Sequence, residues 1–314
     1  MKPTPPIVDS LAPVSFQVSD SGDGVHTVKV GAYEDFTRLL DKDHFLNRPE
    51  YIFRGHRDPS WTLLPTLYRR IASELRANAT TEEHLTAKKE AGERTANVLK
   101  HFLYGLRGTE WHDEKHELLI RWFEAQKGRS VHINELRAVS QHDPELWASL
   151  LNAWALGQHQ RLWTPLLDWT ASPLVAFYFA FYEADERDDG DESRVVFALN
   201  RKLVDERCRH KNFEHDRLEC FTPYSRQNPR LIAQQGYFTY SHTYESVESW
   251  VRKAFQGETN KAVLIRILIT NVKTEQAMRW LNRHGISDRT LFPDLEGITR
   301  FTNRAFEDRD LDHL

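Results

Sequence analysis

The sequence predicts an α+β protein in which a mixed β-sheet carries a large helical insertion. Strand-like runs lie on both sides of a long helical stretch, which covers about residues 68–156 and is rich in Ala, Leu, Glu, Lys and Arg. The chain of 314 residues, with 40% hydrophobic and 11% aromatic content, is long enough for one large domain with such an insertion. We therefore expect a flexible leader over residues 1–25 and one domain over residues 26–314.

The predicted strands are short runs of β-branched and aromatic residues. In the first of them, Val28 and Val30 flank Lys29, which is the weak alternation of an edge strand. The second delivers Arg54 at its end, and Gly55 is expected to allow a sharp turn there. In chain order, strands are predicted at Val25–Val30, Tyr51–Phe53, Arg194–Leu199, Ala233–Tyr240 and Ala262–Ile269.

The predicted helices have apolar residues at helical spacing. Within the insertion, one helical face is defined by the i, i+3, i+4, i+7 set Trp147, Leu150, Leu151 and Trp154. Outside the insertion, helices are predicted at Ala32–Asp43, Ser246–Phe255 and Thr274–His284. The acidic run Glu183–Glu192 indicates a solvated loop.

Composition and missing motifs exclude several classes of protein. The net charge of −4 argues against non-specific nucleic-acid binding by the whole molecule, although it leaves room for a local basic groove. The start of the chain lacks the apolar core of a signal peptide, and no apolar run approaches the ~20 residues of a membrane span. We therefore expect a soluble, cytoplasmic protein with no membrane partner. Walker, GxGxxG, HExxH and GxSxG motifs are absent, so the usual nucleotide, zinc-protease and serine-hydrolase sites lack support.

The two cysteines give neither a disulfide framework nor a standard metal site. Their small number fits a reducing cytosol. Four residues of the types that bind zinc lie close together in the sequence: Cys208, His210, His215 and Cys220. Their spacing matches no common zinc-binding motif, and the residues around them are highly charged. We therefore expect a solvated surface there, and no metal.

Two polar clusters stand beside apolar segments and suggest a pocket. The first, His159, Asp168, Trp169, Thr170 and Ser172, precedes an apolar run. The second places the cation Arg54 in an aromatic and apolar setting. Burying a polar group costs several kcal/mol unless it is hydrogen-bonded. The polar groups of such clusters are therefore either hydrogen-bonded to nearby protein groups or used to bind a ligand.

Four blocks of the sequence resemble the FRG domain family, which is named for its Phe-Arg-Gly tripeptide. They occur in family order over about residues 51–300: Phe53-Arg54-Gly55 with Trp61, Leu63 and Pro65; Gln158, His159, Thr164, Leu166–Thr170, Ser172 and Pro173; Asn228–Arg230 with Gln234–Thr239; and Leu291–Gly297. Arg161, Trp163 and Pro165 depart from the family pattern, which usually has Gly, Pro and Arg there. This departure affects the turn before Asp168 and removes one candidate cation of the pocket.

A looser similarity to ADP-ribosyltransferases implies a sheet core of that kind and an activity. In those enzymes an Arg or His ends the first strand, a small hydroxyl or aromatic residue lies mid-chain, and a Glu comes late. Arg54, Thr170 or Ser172, and Glu296 occur here in that order. The resemblance implies an NAD-using ADP-ribosyltransferase-like or NAD-cleaving enzyme, such as a bacterial toxin or antiviral defence effector. It implies NAD as the substrate, a nucleic-acid or protein acceptor, and a neutralising or regulatory partner.

Cleavage of the nicotinamide–ribose bond passes through an oxocarbenium-like cation and needs few groups. Arg54 is expected to clamp the pyrophosphate, and Glu296 to stabilise the cation. Trp169 or Tyr178 would stack on the nicotinamide, and His159 would act as general acid or base. The remaining expected contacts to NAD come from Asp168, Thr170, Ser172 and Gln235. Gln235 is also an alternative for the late position, where an uncharged residue would favour binding over turnover.

Each of these residues also has a purely structural interpretation. Arg54 could form a buried ion pair with Asp168 or Asp294. Thr170 or Ser172 could cap the helix that starts near Pro173, Glu296 could complement a helix dipole, and His159 could hydrogen-bond in the core. Two alternative functions remain open. One is a non-catalytic nucleotide- or nucleic-acid-binding module, and the other is a hydrolase or nuclease that uses Asp168, His159 and Asp294.

Overall fold

The computed structural model describes residues 18–20, 22–31, 35, 49–74, 80–140, 143–182, 193–210, 216–223, 228–258 and 261–307. Three sequence predictions lie largely outside these residues. They are the leader up to residue 17, the helix at Ala32–Asp43 apart from Asp35, and the acidic run Glu183–Glu192.

Within the described residues, eight strands form one sheet in the order β1-β2-β8-β5-β3-β4-β7-β6. β2 and β8 are parallel, and the other neighbouring pairs are antiparallel. The strands are β1 (Val18–Asp20), β2 (Val25–Val30), β3 (Tyr51–His56), β4 (Leu166–Thr170), β5 (Arg194–Asn200), β6 (Leu218–Phe221), β7 (Gly236–Ser241) and β8 (Leu264–Ile269). The predicted α+β class with a mixed sheet is confirmed.

Five helices lie between β3 and β4: α1 (Thr66–Ser73), α2 (Thr81–Leu106), α3 (Glu114–Ala125), α4 (Ile133–Ser140) and α5 (Pro144–His159). They occupy the helical stretch predicted at about residues 68–156, whereas the domain boundaries stay predictions. The later helices are α6 (Pro173–Phe181), α7 (Arg201–Cys208), α8 (Pro229–Ala233), α9 (Val247–Ala254), α10 (Thr274–Arg283), α11 (Asp288–Leu291) and α12 (Leu295–Glu307). None of the helices in the described parts of the chain is both long and apolar enough to cross a bilayer.

One predicted strand is shorter in the structure, and three strands are present that were not predicted. The strand predicted at Ala233–Tyr240 begins only at Gly236, because Pro229–Ala233 forms the short helix α8. Asn228 starts this helix by accepting a hydrogen bond from the Leu231 amide at 3.1 Å, and Pro229 fits its first turn. The strands β1, β4 and β6 were not predicted from the sequence.

The sheet buries apolar residues on both faces. On one face, Phe177 of α6 and Leu281 of α10 pack against the strands. On the other face, Trp250 of α9 and Val204 of α7 do so. The inserted helices form a third cluster around Trp154, which extends to strands β4 and β7. The insertion is therefore packed against the end of the sheet formed by β4, β7 and β6.

Gly55 lies inside β3, so the predicted sharp turn at this position is wrong. The strand continues through His56, and Gly55 is paired with Val196 of β5. A Cβ atom at Gly55 would collide with the Ala176 carbonyl oxygen and lie 2.6 Å from the Ala180 amide nitrogen, both in α6. Glycine is needed there because the backbones of helix and strand approach closely.

Candidate functional site

A cavity of about 1070 Å³ is lined by the insertion and by the segments that follow β6. The insertion contributes residues from α5 and the turn after it, from the turn between α2 and α3, and from the start of α3. The later segments contribute α8 and the start of α12 with the residues just before it. Its titratable and aromatic lining residues are Glu110, Trp111, His112, Asp113, Lys115, His116, Glu145, His159, Arg161, Arg230, Asp294 and Glu296. Two predicted catalytic residues, His159 and Glu296, therefore share this cavity.

Arg230 holds two carboxylates in the cavity wall. Its Nε lies 2.6 Å from Asp294 Oδ2, and its Nη2 lies 2.7 Å from Glu296 Oε2. Arg300 approaches the other oxygen of Glu296 at 2.5 Å. The hydrogen bond from Arg230 Nε lowers the pKa of Asp294. A second hydrogen bond, from Arg230 Nη2, lowers the pKa of Glu296, and the charge of Arg300 lowers it further. Both carboxylates are therefore ionised at neutral pH.

His159 is the last residue of α5. Its Nε2 atom is buried and has no hydrogen-bond partner among the residues that the structure describes. The ring meets Phe238 edge-on, with 6.3 Å between the centroids. Burial lowers the pKa of His159, the charge of Asp168 raises it, and that of Arg230 lowers it. The net effect is a neutral imidazole at neutral pH.

Arg161 occupies a turn that terminates α5 and enters the cavity lining. Its φ is +65°, in the left-handed region. The Arg161 amide donates to the Gln158 carbonyl and the Leu162 amide to the Gly157 carbonyl, each at 2.9 Å, which is a Schellman motif. The turn therefore has the left-handed backbone that suits the glycine usual in the family pattern. Arginine adopts this conformation at a cost of about 1 kcal/mol in conformational free energy.

Arg54 belongs to a second cluster outside the cavity lining. Its Nε donates to His56 Nε2 at 2.8 Å, and its Nη1 donates to the Asp168 carbonyl at 2.7 Å and lies 3.7 Å from the Asp168 carboxylate. Burial lowers the pKa of Arg54. Burial and the charge of Arg54 lower the pKa of His56 to about 3, so His56 accepts this bond as a neutral ring. Of the two predicted ion-pair partners, Asp168 is close to Arg54, and Asp294 pairs with Arg230.

The other predicted NAD contacts surround the ends of β4 and β7. Trp169 is buried and donates to Thr239 Oγ1 at 2.9 Å, and buried Thr170 donates to the Gln234 carbonyl at 2.7 Å. Ser172 caps α6 by accepting from the Val175 amide at 3.4 Å. Gln235 has a φ of +48°, and its carbonyl accepts from the Ala171 amide at 2.9 Å. None of these residues lines the cavity, and their roles in NAD binding stay predictions.

Sequence reasoning missed Arg230 and Trp111 as functional candidates. Arg230 carried a usable signal, because it follows the helix-starting pair Asn228-Pro229 within a block of the family resemblance. Trp111 carried none. In the described parts of the chain, no three His, Cys, Asp or Glu side chains are arranged to hold a metal ion. Cys208 instead donates to the Leu218 carbonyl at 3.5 Å, and His215 of the predicted array lies outside the described residues.

The comparisons with known proteins identify one domain. No curated protein and no solved structure matches the chain, so the looser similarity to ADP-ribosyltransferases stays an expectation. The family model of the FRG domain matches residues 49–189. That stretch contains the Arg54 cluster, the inserted helices, His159 and Arg161, whereas Arg230 and Glu296 follow it. The chain therefore contains an FRG domain at residues 49–189.

Proposed function

We propose that the cavity binds NAD and cleaves its nicotinamide–ribose bond, passing the ADP-ribosyl group to an acceptor or to water. The observation that carries this is the presence of an unpaired, neutral imidazole and an ionised carboxylate in the lining of one cavity. A volume of about 1070 Å³ is large enough for a dinucleotide. As the C–N bond breaks, nicotinamide leaves with the electron pair. An acceptor hydroxyl or water then bonds to the ribose carbon and loses its proton.

Glu296 is the group that stabilises the positive charge on the ribose. Its carboxylate stays ionised because Arg230 and Arg300 hydrogen-bond to its two oxygens. Those bonds also fix its position, so little reorganisation is needed as the cation forms. The side chain is 40% exposed, which leaves it reachable from the cavity.

His159 accepts the proton from the attacking hydroxyl. Its pKa is lowered by burial, so the imidazole is already deprotonated at neutral pH. Its ring lines the cavity, and its Nε2 atom has no hydrogen-bond partner among the described residues but is buried, so the ring must rotate before Nε2 can take the proton. Arg54 lies outside the lining, and within this proposal it supports β4 through the Asp168 carbonyl instead of clamping the pyrophosphate.

NAD cleavage would deplete a cellular cofactor or modify a cellular target, which is the basis for a role as a toxin or defence effector. Such an activity requires control, so we include a neutralising or regulatory partner in the proposal. The acceptor would be a protein or a nucleic acid, or water if the enzyme only hydrolyses NAD.

The test is nicotinamide release from NAD by the purified protein and by Glu296→Gln. The matched control is Glu275→Gln, because Glu275 forms an exposed i, i+4 pair with Arg279 at 2.6 Å and does not line the cavity. We expect Glu296→Gln to lose about 100-fold or more in kcat, and Glu275→Gln to retain it. His159→Gln should lower kcat and remove the acidic limb of its pH profile. Absence of release by wild type at millimolar NAD would refute the cleavage reaction.

A non-catalytic nucleotide-binding module is the second candidate, and one observation favours it. The negative charges of Asp294 and Glu296 are already balanced by ion pairs with Arg230 and Arg300, as in a purely structural ion-pair network. NAD binding by wild type with no nicotinamide release would select this candidate. The hydrolase or nuclease alternative has no comparable observation in its favour.

A further inference from the structure

We propose that Arg161 and Trp111 form two subsites of the cavity, in which Arg161 binds a phosphate group and Trp111 stacks on a planar base. The ligand class is therefore a nucleotide that carries a phosphate and a heteroaromatic base. This inference rests on the proposed function for the identity of the site, but it does not require that any bond be cleaved there.

The guanidinium of Arg161 is available to a ligand. Arg161 lines the cavity and is exposed, and its side chain has no hydrogen bond or ion pair with any other residue in the described ranges. The other arginine of the lining, Arg230, already holds Asp294 and Glu296. A planar guanidinium with free donors suits the paired oxygens of a phosphate.

The backbone at Arg161 is a second observation. Its φ of +65° belongs to the Schellman motif that ends α5, where glycine is the usual residue. Strained backbone conformations are enriched at functional sites. The strain is consistent with a side chain that makes a contact in the cavity.

Trp111 provides the aromatic face that the predicted stacking residues do not. Trp169 and Tyr178 are 3% and 0% exposed, so neither ring can receive a ligand. Trp111 is 38% exposed and is the one Trp, Tyr or Phe among the described lining residues. Its amide donates to Thr109 Oγ1 at 3.3 Å, which fixes the turn that presents the ring. An exposed indole on a fixed turn can stack on a base.

The Arg161 subsite is tested by calorimetric binding of ADP-ribose and of adenosine, which lacks phosphate. Arg161→Gly removes the cation and keeps a residue suited to the left-handed backbone. We expect it to weaken ADP-ribose binding at least tenfold and to leave adenosine binding unchanged. The matched control is Lys127→Gly, which removes a cation from another left-handed position, with φ +50°, outside the cavity lining. It should bind both ligands as wild type does.

The Trp111 subsite is tested with the same two ligands. Trp111→Leu should weaken both of them about fivefold or more, and Trp111→Phe should restore most of the affinity. The control is Trp163→Leu, because Trp163 is also exposed, at 47%, but lies under Arg70 and outside the lining.

The inference is overturned if wild type fails to bind ADP-ribose at millimolar concentration, or if Arg161→Gly and Trp111→Leu bind both ligands with wild-type affinity. Failure of the proposed function gives a different result. In that case ADP-ribose binds with the expected dependence on Arg161 and Trp111, but wild type releases no nicotinamide from NAD.

Discussion

Replacing Gly55 with alanine should destabilise the fold severely, although the change adds one methyl group. The new Cβ would lie 2.6 Å from the Ala180 amide nitrogen and closer still to the Ala176 carbonyl oxygen. Both are backbone atoms of α6, so no side-chain rotation can relieve the collision. Ordinary contacts between such atoms are about 3.5 Å, so α6 would have to retreat from β3 by roughly 1 Å or more.

The cost follows from what α6 buries. Val175, Ala176, Phe177, Tyr178, Ala180 and Phe181 are each at most 1% exposed. Moving the helix loosens all of these contacts together, which exceeds an ordinary overpacking penalty of about 1–3 kcal/mol. We therefore expect Gly55→Ala to lower the free energy of unfolding by about 3 kcal/mol or more.

Urea unfolding followed by circular dichroism measures this change. The matched control is Gly105→Ala in α2, where an added Cβ meets no atom within 4 Å. That substitution should stabilise the protein by about 0.5–1 kcal/mol, because alanine favours a helix over glycine. A Gly55→Ala protein within about 1 kcal/mol of wild type would refute the close-approach explanation.

Three further changes test the electrostatics and the strain. The His56 pKa of about 3 lies below the ordinary value of about 6.5, so the unfolded state binds the extra proton between these values. The free energy of unfolding should therefore fall as pH drops from about 6.5 towards 3, and it should fall less steeply in His56→Gln. Equal slopes of unfolding free energy against pH in the two proteins would contradict this. Arg54→Lys should cost about 1.5–3 kcal/mol in urea unfolding, because one ammonium cannot replace guanidinium bonds to both His56 and the Asp168 carbonyl; full stability would show that the bonds are dispensable. Arg161→Gly should gain up to about 1 kcal/mol by relieving left-handed strain, and a loss of thermal stability would exclude that strain.

Strands could be predicted where apolar residues run together, as in β5 and β8, or alternate, as in β2, and not where a polar motif interrupts them. β5 and β8 are buried runs, and both were located within two residues. β4 was missed because Asp168 interrupts its apolar run. In the structure Leu167 and Trp169 face one core cluster, while Asp168 points outwards and is exposed. Five residues of alternating apolar and polar character are too few to predict a strand when the polar residue, Asp168, also belongs to a polar cluster that suggests a site.

Sequence patterns identified unusual residues, but they did not show which of them share a site. His159 and Glu296 were both named as catalytic candidates, and both line the cavity. Arg54 was grouped with them, yet its guanidinium is engaged by His56 and by a backbone carbonyl 114 residues away. A contact to a backbone carbonyl leaves no trace in side-chain chemistry, so residue spacing could not reveal it. Trp111 was missed for a related reason, because an exposed indole on a turn has no flanking pattern.

The Arg54 cluster and the cavity are connected through one short segment of chain. Arg54 holds the Asp168 carbonyl of β4, and His159 and Arg161 lie just before that strand. The segment is held again where the Leu67 amide of α1 donates to the Thr164 carbonyl at 3.3 Å, and where Thr164 hydrogen-bonds Gln158. Hydrogen bonds therefore fix the chain on both sides of the left-handed Arg161. The Phe-Arg-Gly tripeptide thus has a structural role that needs no ligand. Gly55 allows α6 to pack closely on β3, and Arg54 holds β4 in place. The position of β4 in turn determines where His159 and Arg161 lie in the cavity wall.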